Sequence, residues 1–169
     1  MSSVALHILD AVEARLKLAS VPSTVLFEEE YVPFTPPGGL TVGREIIGLV
    51  TERHVVNGPI ISVAKGGELP TTRNHHKSPL TIHTMEVLIT VAAKAESSTP
   101  STALDPASSW VIHALQSEPT LGGIAHYITE EGSEDEYTTY QDSTFVLAAR
   151  QMKLHIVFHT RTDDPNARS

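Results

Sequence analysis

Residues 105–132 read DPASSWVIHALQSEPTLGGIAHYITEEG, and this stretch decides the fold. Asp105 suits a helix N-cap, because its carboxylate can accept from the orphan amides of a first turn. Pro106 fits the first helical position, where a missing N–H costs nothing. Trp110, Val111, Ala114 and Leu115 recur at steps of one, three and four, so they form one apolar stripe. Gly122 and Gly123 offer the positive φ angles that end such a segment. Ile124 to Thr129 then reads as a short strand, turned outward by Glu130-Glu131-Gly132. The pattern predicts a helix packed on a sheet.

The rest of the chain bounds that unit. At 169 residues it is expected to form a single domain, long enough to bury roughly 70% of its unfolded surface. With 40% hydrophobic residues and a mean hydropathy of −0.06, a soluble folded chain is expected rather than a disordered one. No cysteine is present, which removes thiol chemistry and cysteine-based zinc sites. Asp10, Glu13, Arg15 and Lys17 interrupt the first segment, which argues against a signal peptide and for synthesis in the cytosol. No run of about 18 apolar residues exists to span a membrane. The net charge of −8 argues against binding through phosphate counterion release, and an acidic surface repels DNA instead.

Taken in order, Ser2 or Ser3 can cap a first helix reaching about Leu18, with Leu6, Leu9, Val12 and Leu16 on one stripe. Val21-Pro22 ends it. Val25 to Glu30 reads as a strand and Phe34 to Gly39 as a loop. Leu40 to Val56 reads as an elaborated strand or lobe, Asn57-Gly58-Pro59 as a sharp turn, and Ile60 to Lys65 as a short strand. Gly66 to Pro79 is a polar connection. Leu80 to Lys94 forms a long strand with Met85, Val87, Ile89, Val91 and Ala93 on one face, and with His83, Glu86 and Thr90 toward the wetter side. Glu96 to Thr102 is a linker, and Gly132 to Glu136 an acidic loop. Phe145 to Arg161 is a second long strand, with Met152, Leu154, Ile156 and Phe158 opposite Lys153, His155, His159 and Arg161. Asp163 to Asn166 closes the chain as a frayed tail. The fold class is therefore α+β, a mostly antiparallel sheet with two helices on it. Fifteen extended residues span about 50 Å, whereas such a domain is roughly 40 Å across, so the long strands must bend or project as a hairpin arm. A projecting arm would need a neighbour to cover its edges.

No catalytic constellation emerges. The nine histidines include His75-His76, His83, His113, His155 and His159, but they form no HExxH or comparable ligand set. No GxSxG elbow exists, and the paired carboxylates fall in exposed runs (28–30, 130–131 and 134–136). The glycine pairs at 38–39, 66–67 and 122–123 lack phosphate-loop spacing and read as turns. The sequence therefore names no catalytic, cofactor-binding or metal-binding residue.

The order of a DP helix with Trp110 and the Ala114-Leu115 pair, then Thr120-Leu121-Gly122-Gly123, a short strand, an acidic turn and a long closing strand resembles the tail terminator proteins of tailed bacteriophages, relatives of minor tail protein U. The resemblance covers most of the chain. It implies a structural virion protein at the head–tail junction, closed as a homo-hexameric ring on the last ring of the tail tube. One ring face would meet the tail-tube protein and stop its polymerisation. The other would meet a head-side connector or neck protein, and genome DNA would pass through the lumen without specific binding. No enzymatic activity, cofactor or membrane is implied. The expected contact makers are the loops Thr35–Leu40, Gly66–Lys77 and Glu131–Tyr140, including Glu134 and Glu136, with Tyr137 and Tyr140 as aromatic anchors. The extra sequence between Leu40 and Gly58 departs from a minimal terminator. The alternatives are another head–tail connector or tail completion protein, or, from a different class, a small enzyme or ligand-binding domain with a deep pocket.

Overall fold

The computed structural model describes residues 4–21, 35–44, 58–68, 72–73, 80–96, 100–139, 145–161 and 164–168. The expected strand at 25–30, the caps Ser2 and Ser3, and most of the segments 40–56 and 66–79 lie outside these residues. In chain order the elements are α1 (Val4–Leu16), β1 (Thr41–Arg44), β2 (Ile60–Glu68), β3 (Thr72–Arg73), β4 (Leu80–Glu96), a 3-10 turn (Thr102–Leu104), α2 (Asp105–Gln116), β5 (Tyr127–Thr139), β6 (Phe145–Arg161) and β7 (Asp164–Arg168). One sheet joins all seven strands in the order β1-β2-β4-β6-β5, with β3 beside β4 and β7 beside β6. Among the described strand pairs only β1–β2 is parallel. The fold is α+β, as the alternation and the two amphipathic helices imply.

The centre of the sheet is the β4–β6 ladder, in register from Leu80 opposite Arg161 to Glu96 opposite Phe145. Because side chains alternate along a strand, one face collects Met85, Val87, Ile89, Val91, Ala93 and Ala95 of β4. From β6 the same face takes Val146, Ala148, Met152, Leu154, Ile156 and Phe158, and all of these are buried. The ladder is covered to both ends on this face, from Ala95 and Val146 to Thr160. The two long strands thus form the middle of the sheet and not a projecting arm. His83 shares this face opposite Phe158, so it does not belong to the wetter side as its polarity suggested.

Both helices close over that face. From α1 come Val4, Ile8, Leu9, Val12 and Leu16, and from α2 come Ala107, Trp110, Val111, Ala114 and Leu115. Leu6, assigned above to the inner stripe, is instead 47% exposed, because Val4 and Ile8 take the inward positions. The helices lock through polar groups at their ends. The Trp110 indole N–H donates to the Leu16 carbonyl at 2.9 Å, which satisfies a terminal acceptor of α1. Arg15 Nε donates to the Ala114 carbonyl at 3.2 Å, and its guanidinium also donates to Ser117 Oγ.

Several boundaries differ from the sequence expectation. Asp105 lies inside the helix at φ −61° and ψ −43°, and Leu104 is the N-cap, without a side-chain cap bond. A 3-10 turn in front removes the extended backbone that a capping aspartate needs. The helix stops at Gln116, well before the glycine pair. Gly122 and Gly123 do hold positive φ, in the turn that follows. The strand expected at 124–129 begins at Tyr127 and runs on to Thr139, so residues 132–136 form strand and not loop. The expected outward turn is a β-bulge between Glu130 and Gly132, where Gly132 adopts φ +131°. β2 likewise continues past Lys65 to Glu68, and β7 occupies the expected tail. At Gly58 a turn is confirmed: φ is +145°, and a Cβ there would stand 2.4 Å from the Gly39 carbonyl oxygen.

Candidate assembly surface

β5 lies at an edge of the sheet order and carries a long polar stretch. From Thr129 to Glu136 every residue is exposed, and five of the eight are acidic. Unlike β6, this stretch buries no side chain, so its placement must come from its ladder and from specific side chains. Arg150 supplies the main one. It stands among the apolar inward positions of β6, between Ala148 and Met152. Its Nε and Nη2 donate to the two Asp135 carboxylate oxygens at 2.7 and 3.0 Å. Its Nη1 donates to Asp105 Oδ1 and to Ser108 Oγ, each at 3.1 Å. The bidentate pair is planar and charge-assisted. Hydrogen bonds to Asp135 raise the Arg150 pKa above its already high ordinary value, against the opposing effect of partial burial. One guanidinium thus ties the edge strand to the first turn of α2, where Asp105 also faces the positive end of the helix.

A second cluster sits on the sheet face away from the helices, at the bulge. His155 Nε2 is 3.5 Å from Glu86 Oε2 on β4, and His155 Nδ1 is 3.6 Å from Glu131 Oε1 on β5. The carboxylates approach opposite ring nitrogens, so they bracket the imidazole and do not converge on a common point. Gly66 of β2 lets Glu86 lie flat: a Cβ there would meet the Glu86 side chain at 2.6 Å. Nearer the end of β6, the His126 and His159 rings stand 3.8 Å apart and His83 stacks on Phe158 at 5.0 Å. Burial holds the His159 pKa below the ordinary histidine value, helped by the charges of His126 and His83. Among the described residues, no three histidine or carboxylate side chains are grouped to hold a metal ion.

Among the described residues, hollows flank the helical layer on two sides. One, of about 50 Å³, opens between α2 and the β5–β6 pair; Val111, Ile112, Leu115, Ile128, Met152 and Leu154 line it, with Gln116 and Glu130 at the rim. It holds the end of one aliphatic side chain, far less than a metabolite site needs. The other, about 510 Å³, lies where Leu16, Lys17 and Leu18 meet Pro36, Pro37 and Leu40, and its lining brings few polar groups together.

The residues singled out from sequence divide accordingly. Thr35 is exposed and Leu40 half-buried at the larger hollow, at the far side of the sheet from β5. Gly66 reaches the bulge cluster through Glu86, and Glu131 belongs to that cluster directly. Glu134 and Glu136 follow along β5, in strand and not in loop. Tyr137 also lies within β5, opposite Ala148, whereas Lys77 and Tyr140 lie outside the described residues. The reading by residue type missed Arg150 and Asp135. A usable signal was present: Arg150 is a charge at an inward position of an otherwise apolar alternation, and a buried charge requires a partner.

Among the described residues no helix is long and apolar enough to cross a membrane. No protein-family model matches the chain, and no curated protein matches it.

Proposed function

We propose that this chain is a phage tail terminator: a ring-forming virion protein that caps the tail tube, ends its polymerisation and offers the surface for head–tail joining. The reading rests on the ordered resemblance of the segment from Asp105 to the closing strand. The observation that carries it furthest is the character of β5, a thirteen-residue edge strand whose stretch from Thr129 to Glu136 is exposed and largely acidic. A strand edge left unpaired among the described residues is suited to contact with a neighbour. A surplus of carboxylates suits a wall past which DNA must move without adhering. In this reading the ring interacts with the tail-tube protein on one face and with a head-side connector or neck protein on the other. It acts by occlusion and adhesion, with no cofactor or chemical step.

Electron microscopy of lysates from a phage lacking only this protein tests the proposal. Abnormally long tubes with filled, unattached heads are the expected result. Tails of normal length without heads would assign the chain to the joining step instead, as a connector or tail completion protein. Intact infectious particles would overturn any assembly role.

A further inference from the structure

We infer that the stacked imidazoles of His126 and His159 form a proton-sensitive latch, which holds the turn between α2 and β5 against β6 near neutral pH and releases it in acid. The inference is independent of the terminator reading. The turn runs from Ser117 to His126 and carries the Thr120-Leu121-Gly122-Gly123 segment. Its backbone bonds are mostly internal: Leu121 N–H donates to the Glu118 carbonyl at 3.0 Å, and the Gly123 and Ala125 N–H groups share the Thr120 carbonyl at 2.9 Å. Among the described residues, one backbone bond joins it to the sheet, from His126 N–H to the Val157 carbonyl at 2.8 Å. Leu121, Gly122 and Gly123 stand in succession at φ +50°, +73° and +90°. A leucine held there costs backbone energy, and its burial, with that of Ala125, opposes relaxation.

The latch sits at that one attachment. The His126 and His159 rings stand 3.8 Å apart, tilted by 40°, so they are in contact across the junction of turn and strand. Neutral rings pack well at this distance, whereas two imidazolium rings repel, most strongly where water is partly excluded. His159 is half-buried and His126 is exposed, so the ring that can leave for water is the one carried by the turn. Burial and the charges of His126 and His83 all disfavour a proton on His159 in the docked state. His83 is fixed nearby on β4, stacked on Phe158 with its Nε2 2.7 Å from Thr160 Oγ1. The carboxylates of the surrounding elements are engaged elsewhere: Glu118 accepts from Thr120 Oγ1 at 2.8 Å, and Glu86 and Glu131 flank His155. β7 brings one residue of each sign, Arg168 opposite Thr160 and Asp164 opposite Arg161, and β3 brings Arg73 opposite Thr81. Release returns His159 toward its ordinary value of about 6.5, so the released turn binds protons more readily than the docked one. Docking is therefore fully favoured above that pH and weakens as pH falls toward the lower docked value.

Amide hydrogen exchange of the full chain at about pH 7 and about pH 5, with labelling times scaled for the slower intrinsic exchange in acid, reads the latch directly. In acid, protection of residues 121–126 is expected to fall severalfold, while the β6 amides from Met152 to Ile156 keep theirs. His126→Phe retains an aromatic ring at an exposed position without the titrating nitrogen, and it is expected to hold the turn at both pH values. His126→Gln should raise the pH at which the His159 ring titrates by NMR. Equal protection of 121–126 at the two pH values overturns the latch, and so does an undiminished acid loss in His126→Phe. A loss spread evenly over the turn and β6 assigns the change to global unfolding and overturns it as well. A His159 titration untouched by His126→Gln removes the coupling on which the inference stands.

Discussion

β5 and β6 are neighbours in one ladder, from Tyr127 opposite Val157 to Thr139 opposite Val146, yet they are held in place by different forces. β6 alternates cleanly: Met152, Leu154, Ile156 and Phe158 are buried under the helices, while Lys153 on the other face is exposed. Its position follows from removing apolar surface from water. β5 exposes both faces through its acidic stretch, so burial contributes little there. It is positioned by backbone hydrogen bonds, by the bidentate Arg150–Asp135 pair and by a bulge set at Gly132. The difference shows how a sheet can hold a strand in place by a few specific pairs while most of its acidic side chains stay exposed. The same acidic side chains and bulge protect an edge strand against indiscriminate pairing.

The largest way to sharpen this contrast is to truncate one residue in each strand. Ile156→Ala removes a side chain with no exposed surface and is expected to cost about 3–4 kcal/mol in urea unfolding. Glu134→Ala on β5 should stay within about 0.5 kcal/mol. A comparable loss from both would break the distinction. Next comes Arg150→Met, expected to cost roughly 2 kcal/mol through its charge-assisted bonds. Hydrogen exchange should then speed up along residues 133–139 of β5 while the amides of β6 between Met152 and Val157 stay protected. Uniform loss of protection would mean that the guanidinium supports the whole core and not the edge. Gly132→Ala meets no neighbour within 4 Å, so its cost is backbone strain alone, on the order of 1–2 kcal/mol. An unchanged melting temperature would show that the bulge relaxes freely.

The smallest effect is on pH. His159 has a folded pKa below its unfolded value of about 6.5, so below that pH the unfolded chain binds more protons. Stability is therefore fully present above about 6.5 and declines as pH falls toward the lower folded pKa. His159→Gln should flatten that slope in urea midpoints measured from pH 7 to 5. A slope that stays the same would remove His159 from the account.

Where burial is one-sided, the structure was legible from residues. The stripe of Trp110, Val111, Ala114 and Leu115 and the alternations of β4 and β6 mark their inward faces correctly, because period and burial coincide. β5 was not legible beyond its first residues. Its polar stretch has no apolar alternation, and a glycine inside an acidic run reads as a turn unless the partner strand is known. Asp105 misled for a related reason, since its carboxylate serves Arg150, forty-five residues away, and not its own helix. The candidate surface was half visible: Glu131, Glu134 and Glu136 stand out as charge, but the cation that organises the strand lies in another element.

By itself, then, the sequence determined the α+β class, the two amphipathic helices and the inward faces of the two long strands. Those features depend on local periodicity and on which residues avoid water. Only the tertiary structure decided that the acidic segment is an edge strand, that Leu6 faces outward and that Arg150 bridges three elements. Each of these depends on which distant segments become neighbours, and strand order is a property of the assembled sheet that no local pattern encodes.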